Sequence, residues 1–219
     1  SLPRQVKGIR SSCALPYQLY ADARLSADKQ AIELNLKARN EIFGDKAAGA
    51  PFNAYASGGT NLSIRNYAVS AGGELNDNWI LNEFPNQQYH LKINGPNGFY
   101  REFRGNGDDP GVQFIVEYVR KKKNKLSGDV ELQVTNVDTT PHSIEIVDNA
   151  YKKPTFKKPI SGAGSGKNEI HVVLDLRKSN GWYDFTVKVA GNATFERRYA
   201  GHVETGERSF TDPFMGDMV

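Results

Sequence analysis

The stretch GFYREFRG, Gly98 to Gly105, returns as TFERRYAG, Thr194 to Gly201. Phe99 falls on Phe195, Arg101 on Arg197, Phe103 on Tyr199 and Gly105 on Gly201, each 96 residues later. The same offset carries Leu34 onto Val130, Leu36 onto Leu132, Asn40 onto Asn136, and the tripeptide Asn53-Ala54-Tyr55 onto Asn149-Ala150-Tyr151. In between, Tyr89 matches Tyr183 at an offset of 94, a slip that two small changes in loop length produce. Solenoid repeats run to about 20–50 residues, whereas this period has the size of a small domain. The chain therefore reads as two copies of one domain in tandem.

Local patterning gives the class of that domain. Apolar residues alternate with polar ones at Tyr17, Leu19, Ala21, Ala23 and Leu25, and again at Ile32, Leu34 and Leu36. The second copy does the same at Val112, Phe114, Val116 and Tyr118, at Val130, Leu132 and Val134, at Ile144 and Ile146, and at Tyr183, Phe185, Val187 and Val189. Turn-forming runs separate these segments: GDKAAGAP, SAGGELNDN, NGPNG, NGDDPG, SGAGSG and KSNG. No helical stripe interrupts them. The expectation is an all-β chain of two tandem, homologous, immunoglobulin-like antiparallel β-sandwich domains, with other antiparallel sandwiches left open by spacing alone. The boundaries expected are a linker at 1–15, repeat 1 at 16–108, repeat 2 at 109–203 and a tail at 204–219.

Length and charge fit this reading. The 219 residues suit two domains of about 100 residues, each able to bury a core. Net charge is +3 and evenly spread, with 12 basic and 10 acidic residues over 1–108 and 16 and 15 over 109–219. Nucleic-acid partners usually demand a strong basic excess on one face, so none is expected. No apolar run approaches the ~20 residues of a membrane-spanning helix. The single Cys13 has no partner for an internal disulfide and leaves the redox compartment open. The start, SLPRQVKGIR, has neither initiator Met nor hydrophobic signal core, and reads as a fragment or mature segment of something longer.

Motifs of catalysis are scarce. His90, His142, His171 and His202 are scattered outside any metal-ligand spacing, and His90 and His171 read as solvated strand histidines opposite the apolar face. GAGSGK at 162–167 lacks the spacing of both a nucleophile elbow and a phosphate-binding loop, and reads as a flexible turn. Asp108 and Asp109 read as turn formers. No catalytic residue, cofactor site or metal site is assigned. The most unusual stretch is RKKKNK, where Arg120, Lys121, Lys122, Lys123 and Lys125 crowd what reads as an exposed hairpin tip. Two readings stand: a solvated turn that keeps a sheet edge soluble, or a contact for an anionic surface such as lipid headgroups. In GPNGFY, Phe99 reads as core and Tyr100, matched by Glu196, as an outward candidate for the same surface contact.

Several stretches together resemble one family. ALPYQL at 14–19, GPNGFYREFRG at 95–105, DNAY at 148–151, GWYDFTV at 181–187 and RRYAGHVETGERSFTDPFMG at 197–216 look like the C-terminal region of the bacterial phosphocholine-preferring phospholipases C, hemolytic and non-hemolytic. The resemblance covers essentially the whole chain, and SLPRQ is similar to the stretch where the family's catalytic domain ends. It implies a tandem pair of β-domains after a catalytic domain that hydrolyses phosphatidylcholine, and often sphingomyelin. It also implies that the metal site and nucleophile lie in that other domain. The partner it implies is the N-terminal catalytic domain of the same polypeptide, with the phospholipid membrane surface as a further candidate, and the compartment is secreted or periplasmic. Two function classes follow: a non-catalytic accessory module, or a protein- or carbohydrate-recognition sandwich pair. A glycan platform would need exposed aromatics, for which Trp79 and Trp182 are candidates, although Trp182 reads as core. The tail, with Phe210, Phe214, Met215 and Met218, is expected to pack along a domain or an interface.

Overall fold

A computed structural model describes residues 6–58, 61–122 and 125–219. The described residues are almost entirely antiparallel strand. A short strand at Ser11–Ser12 (β1) is followed by Leu19–Leu25 (β2), Ala31–Ala38 (β3), Ala50–Gly58 (β4), Asn61–Val69 (β5), Gly73–Ile80 (β6), Gln88–Asn94 (β7) and Tyr100–Asn106 (β8). The second series is Val112–Arg120 (β9), Leu126–Asn136 (β10), His142–Asp148 (β11), Phe156–Ile160 (β12), Glu169–Leu174 (β13), Trp182–Val189 (β14) and Glu196–His202 (β15), closed by Ser209–Phe210 (β16). The alternation read from the sequence is the cause. In β3 the even-numbered Ile32, Leu34, Leu36 and Ala38 are fully or almost fully buried, as are Val130, Leu132 and Val134 in β10. Each such side chain leaves water for a sandwich interior, at about 25 cal/mol per Å² of apolar surface.

Each repeat contributes a three-stranded sheet, β2-β3-β6 in the first and β13-β10-β9 in the second. The four remaining strands of each repeat do not form separate sheets. They join into one eight-stranded sheet of order β12-β11-β14-β15-β8-β7-β4-β5 that runs through both repeats. The fold is thus two tandem sandwiches, as expected, sharing one large sheet. The junction is the pairing of β8 with β15, where Glu102 lies opposite Arg198. Those two residues are 96 apart, so at this point a residue meets its own repeat counterpart. On either side Arg101 faces Tyr199 and Phe103 faces Arg197, which are exchanged pairs under the same offset. A pseudo-twofold axis therefore passes through the Glu102–Arg198 pair.

The tripeptide match is corrected by the register. Asn53-Ala54-Tyr55 lies inside β4, but Asn149-Ala150-Tyr151 lies in the turn after β11, where the amides of Ala150 and Tyr151 donate to Asp148 Oδ1. Ala54 pairs with Ile93, and the equivalent partner in the second repeat is Val187, which pairs with Ile146. The structural counterpart of Ala54 is thus Ile146, and the recurrence of the three letters is chance. The match of Tyr89 with Tyr183 holds in three dimensions, as the contacts across the seam demonstrate.

Candidate functional site

Two places gather polar chemistry: the seam between the repeats, and the basic hairpin of the second repeat. Phe99, just before β8, shares with Arg101 and Phe103 the parity that faces the core, as Phe195, just before β15, does with Arg197 and Tyr199. Arg101 and Arg197 are 1% and 3% exposed. Each reaches over the axis to the other repeat. Arg101 Nη2 donates to the Tyr183 hydroxyl at 3.0 Å and Nη1 to the Ala200 carbonyl at 2.8 Å. Arg197 Nη2 donates to the Tyr89 hydroxyl at 2.5 Å and Nη1 to the Arg104 carbonyl at 2.7 Å. Each guanidinium also lies 4.1 Å from the ring centroid of the phenylalanine two residues before it, Phe99 or Phe195.

The matched glycines complete this design. A Cβ on Gly105 would lie 2.2 Å from Asp109 Oδ1 and 2.5 Å from the Tyr89 hydroxyl, and one on Gly201 would lie 3.0 Å from the Tyr183 hydroxyl. Glycine recurs at 96 residues because each tyrosine hydroxyl occupies that space. The symmetry breaks at one charge. Asp109, with its side chain 3% exposed, accepts from Tyr89 and from the Asn106 amide and lies 3.5 Å from Arg197. Burial pushes its carboxyl above the usual range, against the pull of Arg197. The position one repeat later is Thr205. Arg101 has no carboxylate within ion-pair distance among the described residues; the carboxylate that acts on it is Asp22, whose carboxyl burial pushes up to about 6, opposed by Arg101. Asp109 is therefore more than the turn former read from the sequence.

On the outer face of the large sheet a hydrogen-bonded ladder crosses the same seam. Ser57 Oγ lies 2.8 Å from His90 Nδ1, and His90 Nε2 lies 2.6 Å from Glu102 Oε1. Glu102 also accepts from Arg104 at 2.5 Å and from the Tyr100 hydroxyl at 2.8 Å. Burial would raise this carboxyl, but bonds from His90, Arg104 and Tyr100 outweigh it and hold the group well below the carboxylate range. Arg198 continues the ladder, 3.9 Å from Glu102 and bidentate to Asp184 at 2.8 and 2.6 Å. His90 is thus not the solvated strand histidine expected: its ring spans two strands and bonds at both nitrogens. His171, 48% exposed, fits that reading. A carboxylate occupied by this many donors acts as a clamp on strand register and not as a proton relay.

The basic hairpin lies on the three-stranded sheet of the second repeat. Arg120 ends β9 opposite Leu126, and the Lys121 amide donates to the Lys125 carbonyl at 2.6 Å, which closes the tip. Its base is braced against the first repeat. Arg39 grips Glu117 through two bonds of 2.9 and 3.0 Å, and Arg120 lies 3.2 Å from Glu41. Beyond that brace Lys121, Lys122 and Lys125 are exposed, while Lys123 lies outside the described residues. Tyr100 does not join them. It lies on the eight-stranded sheet, half-buried, its hydroxyl on Glu102 and the Arg198 guanidinium 5.4 Å from its ring centroid. Neither tryptophan offers an open aromatic platform: Trp79 is 1% exposed under Arg65, and Trp182 is half-buried, tilted against His202, with its Nε1 donating to the Phe210 carbonyl at 2.9 Å. No group of three metal-ligating side chains occurs among the described residues, and no helix there is long and apolar enough to cross a membrane.

A family model described as "Bacterial phospholipase C, C-terminal domain" matches this chain twice, over residues 11–106 and 112–202. The chain belongs to that family. Each match covers one repeat, on either side of the 107–111 turn. Among curated relatives, this phospholipase C C-terminal domain pair is 31% identical over 218 residues to the non-hemolytic phospholipase C of Pseudomonas aeruginosa, covering 99% of this chain and 30% of that protein. The hemolytic phospholipase C of the same organism is 31% identical over 234 residues, covering 98% and 31%, and the non-hemolytic phospholipase C of Burkholderia pseudomallei is 30% identical over 220 residues, covering 98% and 29%. The chain thus spans about three tenths of the length of the relatives it matches.

Proposed function

We propose that this domain pair is the non-catalytic accessory region of a secreted or periplasmic phospholipase C that hydrolyses phosphatidylcholine, with sphingomyelin as a further candidate substrate. Its tandem sandwiches support a catalytic domain in the same polypeptide and present the Arg120–Lys125 hairpin to the lipid surface. The observation that carries the reading is the double match to a C-terminal domain family in a chain three tenths as long as its relatives, joined to a braced hairpin whose described lysines point into solvent. Lysine near an anionic surface contributes about 1 kcal/mol, so a cluster suffices to bias an enzyme toward a membrane without a spanning segment. The division into three and four strands supports reading each sandwich as immunoglobulin-like.

Carbohydrate recognition is the weaker reading, because both tryptophans are committed to packing. The test compares the whole polypeptide with a form lacking the hairpin tip on vesicular and on short-chain soluble phosphatidylcholine. A loss confined to vesicles supports the surface role. Equal loss on both substrates would assign the hairpin to folding, and metal-dependent hydrolysis by the 219-residue chain alone would overturn the non-catalytic reading.

A further inference from the structure

The two ends of the chain form a clasp. The short strands β1 and β16 pair, the Gly8 amide donates to the Gly216 carbonyl at 2.9 Å, and the Thr211 amide donates to the Arg10 carbonyl at 2.8 Å. A Cβ on Gly216 would sit 2.5 Å from the Gly8 carbonyl oxygen, so the backbones touch there with no side chain between them. Polar groups of the body hold the clasp down. Trp182 Nε1 donates to the Phe210 carbonyl, the Tyr151 hydroxyl donates to Asp212 at 3.0 Å, and the buried Glu204 accepts from the Leu15 amide at 3.1 Å and from Asn97 at 2.5 Å. Apolar side chains of both ends stay in solvent: Val6, Ile9, Phe210, Phe214 and Met218 are 68, 38, 45, 53 and 56% exposed. The tail does pack, as expected, through these hydrogen bonds and the buried Pro213, and it leaves Phe210, Phe214 and Met218 in water. A fixed surface of that composition marks an interaction site.

We propose that this face docks the preceding, catalytic part of the same polypeptide, an inference that rests on the accessory-region reading above. Chain order selects this occupant. The family describes a C-terminal domain covering 30% of the Pseudomonas aeruginosa relative, so the bulk of such a protein precedes the matched stretch and connects to it through the segment equivalent to one half of the clasp. A short flexible connection would present such a neighbour to the face at an effective concentration on the order of millimolar, so a modest apolar area is enough. Charge disfavours a lipid surface here. Lys7 pairs with Asp217, and Arg10 and Arg208 are offset by Glu207 and Asp212, so the clasp carries no cationic field. Because hydrogen bonds already fix both strands, docking orders nothing new.

Oxidative footprinting of the whole polypeptide beside the 219-residue chain tests this, read by mass spectrometry. Met218 and Phe214 should react at least about tenfold more slowly in the whole polypeptide, since oxidation follows exposure. Ile64, 50% exposed on β5 at the opposite edge of the eight-stranded sheet from β12, should react equally in both. Equal rates at Met218 and Phe214 would overturn the docking proposal. Phe214→Asp in the whole polypeptide should return Met218 to its rate in the isolated chain; retained protection would also overturn it. Protection gained by the 219-residue chain from phosphatidylcholine vesicles, and not from the rest of the polypeptide, would reassign the face to lipid and leave the accessory reading standing. A whole polypeptide without phosphodiesterase activity would instead overturn the accessory reading itself.

Discussion

Replacing Arg197 and Arg101 separately by Met should give unequal losses from nearly equal geometries. Both guanidiniums are buried, both bridge the repeats, and both bond a tyrosine hydroxyl and a carbonyl of the opposite half. Arg197→Met strands the Asp109 carboxylate, whose side chain is 3% exposed. Breaking a buried pair by removing one partner costs about 3–5 kcal/mol, because the remaining charge stays in low dielectric. Arg101→Met strands carbonyls and a hydroxyl but no carboxylate within ion-pair distance, a loss of roughly 1–3 kcal/mol, offset in part because a buried cation disappears. Urea denaturation followed by tryptophan fluorescence measures both. Asp109→Asn added to Arg197→Met should recover about 2 kcal/mol, since the pair is directly coupled. The pH dependence follows from the raised Asp109 carboxyl. Without Arg197 it rises further and takes up a proton as pH falls, so the penalty of Arg197→Met should be larger at pH 8 than at pH 5. Equal losses for the two variants, with no recovery in the double variant, would refute the claim that Asp109 is held by Arg197.

Other expectations follow from the same contacts. Glu102→Gln should cost about 2–3 kcal/mol at pH 7, where its charge-assisted bonds are intact. The folded carboxyl is held far below its ordinary value of 4.5, so this contribution is present above that value and lost as pH falls through and below it; the variant and the parent should converge in acid unfolding curves. Gly105→Ala places a methyl against the Asp109 carboxylate and the Tyr89 hydroxyl and should lower the melting temperature by more than Gly107→Ala, where Leu81 stands 3.7 Å away. Truncation after Gly206 removes the β16 pairing and the partner of Trp182 Nε1, and should lower the melting temperature by several degrees; an unchanged value would show that the clasp adds nothing to the body.

The sandwich was legible because period-two alternation is a local signal and the repeat offset is arithmetic. Phe99 read as core, but Arg101 on the same parity did not, because charged residues are rarely buried, and nothing local to either repeat names the distant tyrosine that receives each guanidinium. The shared sheet lay beyond sequence reading, since β8 and β15 pair across some ninety residues and register at such separation is set by packing. His90 shows the same limit. Its parity gave the solvent-facing side correctly, but Ser57 and Glu102 come from neighbouring strands. The chance recurrence of Asn-Ala-Tyr misled because strand pairing, which decides equivalence there, leaves no trace in three letters. The lysine tip was visible outright, as a charge run between two alternating segments, whereas the brace of Arg39 on Glu117 spans both repeats and was not.

The lipid-surface contact proposed for the braced hairpin is open to direct measurement. Co-sedimentation of the 219-residue chain with phosphatidylcholine vesicles, with and without an anionic lipid and at low and high salt, tests it most directly. Binding should need the anionic lipid, weaken as salt screens it, and disappear when Lys121, Lys122 and Lys125 are changed to Glu. Absence of binding under every condition, or binding that survives the charge reversal, would contradict it.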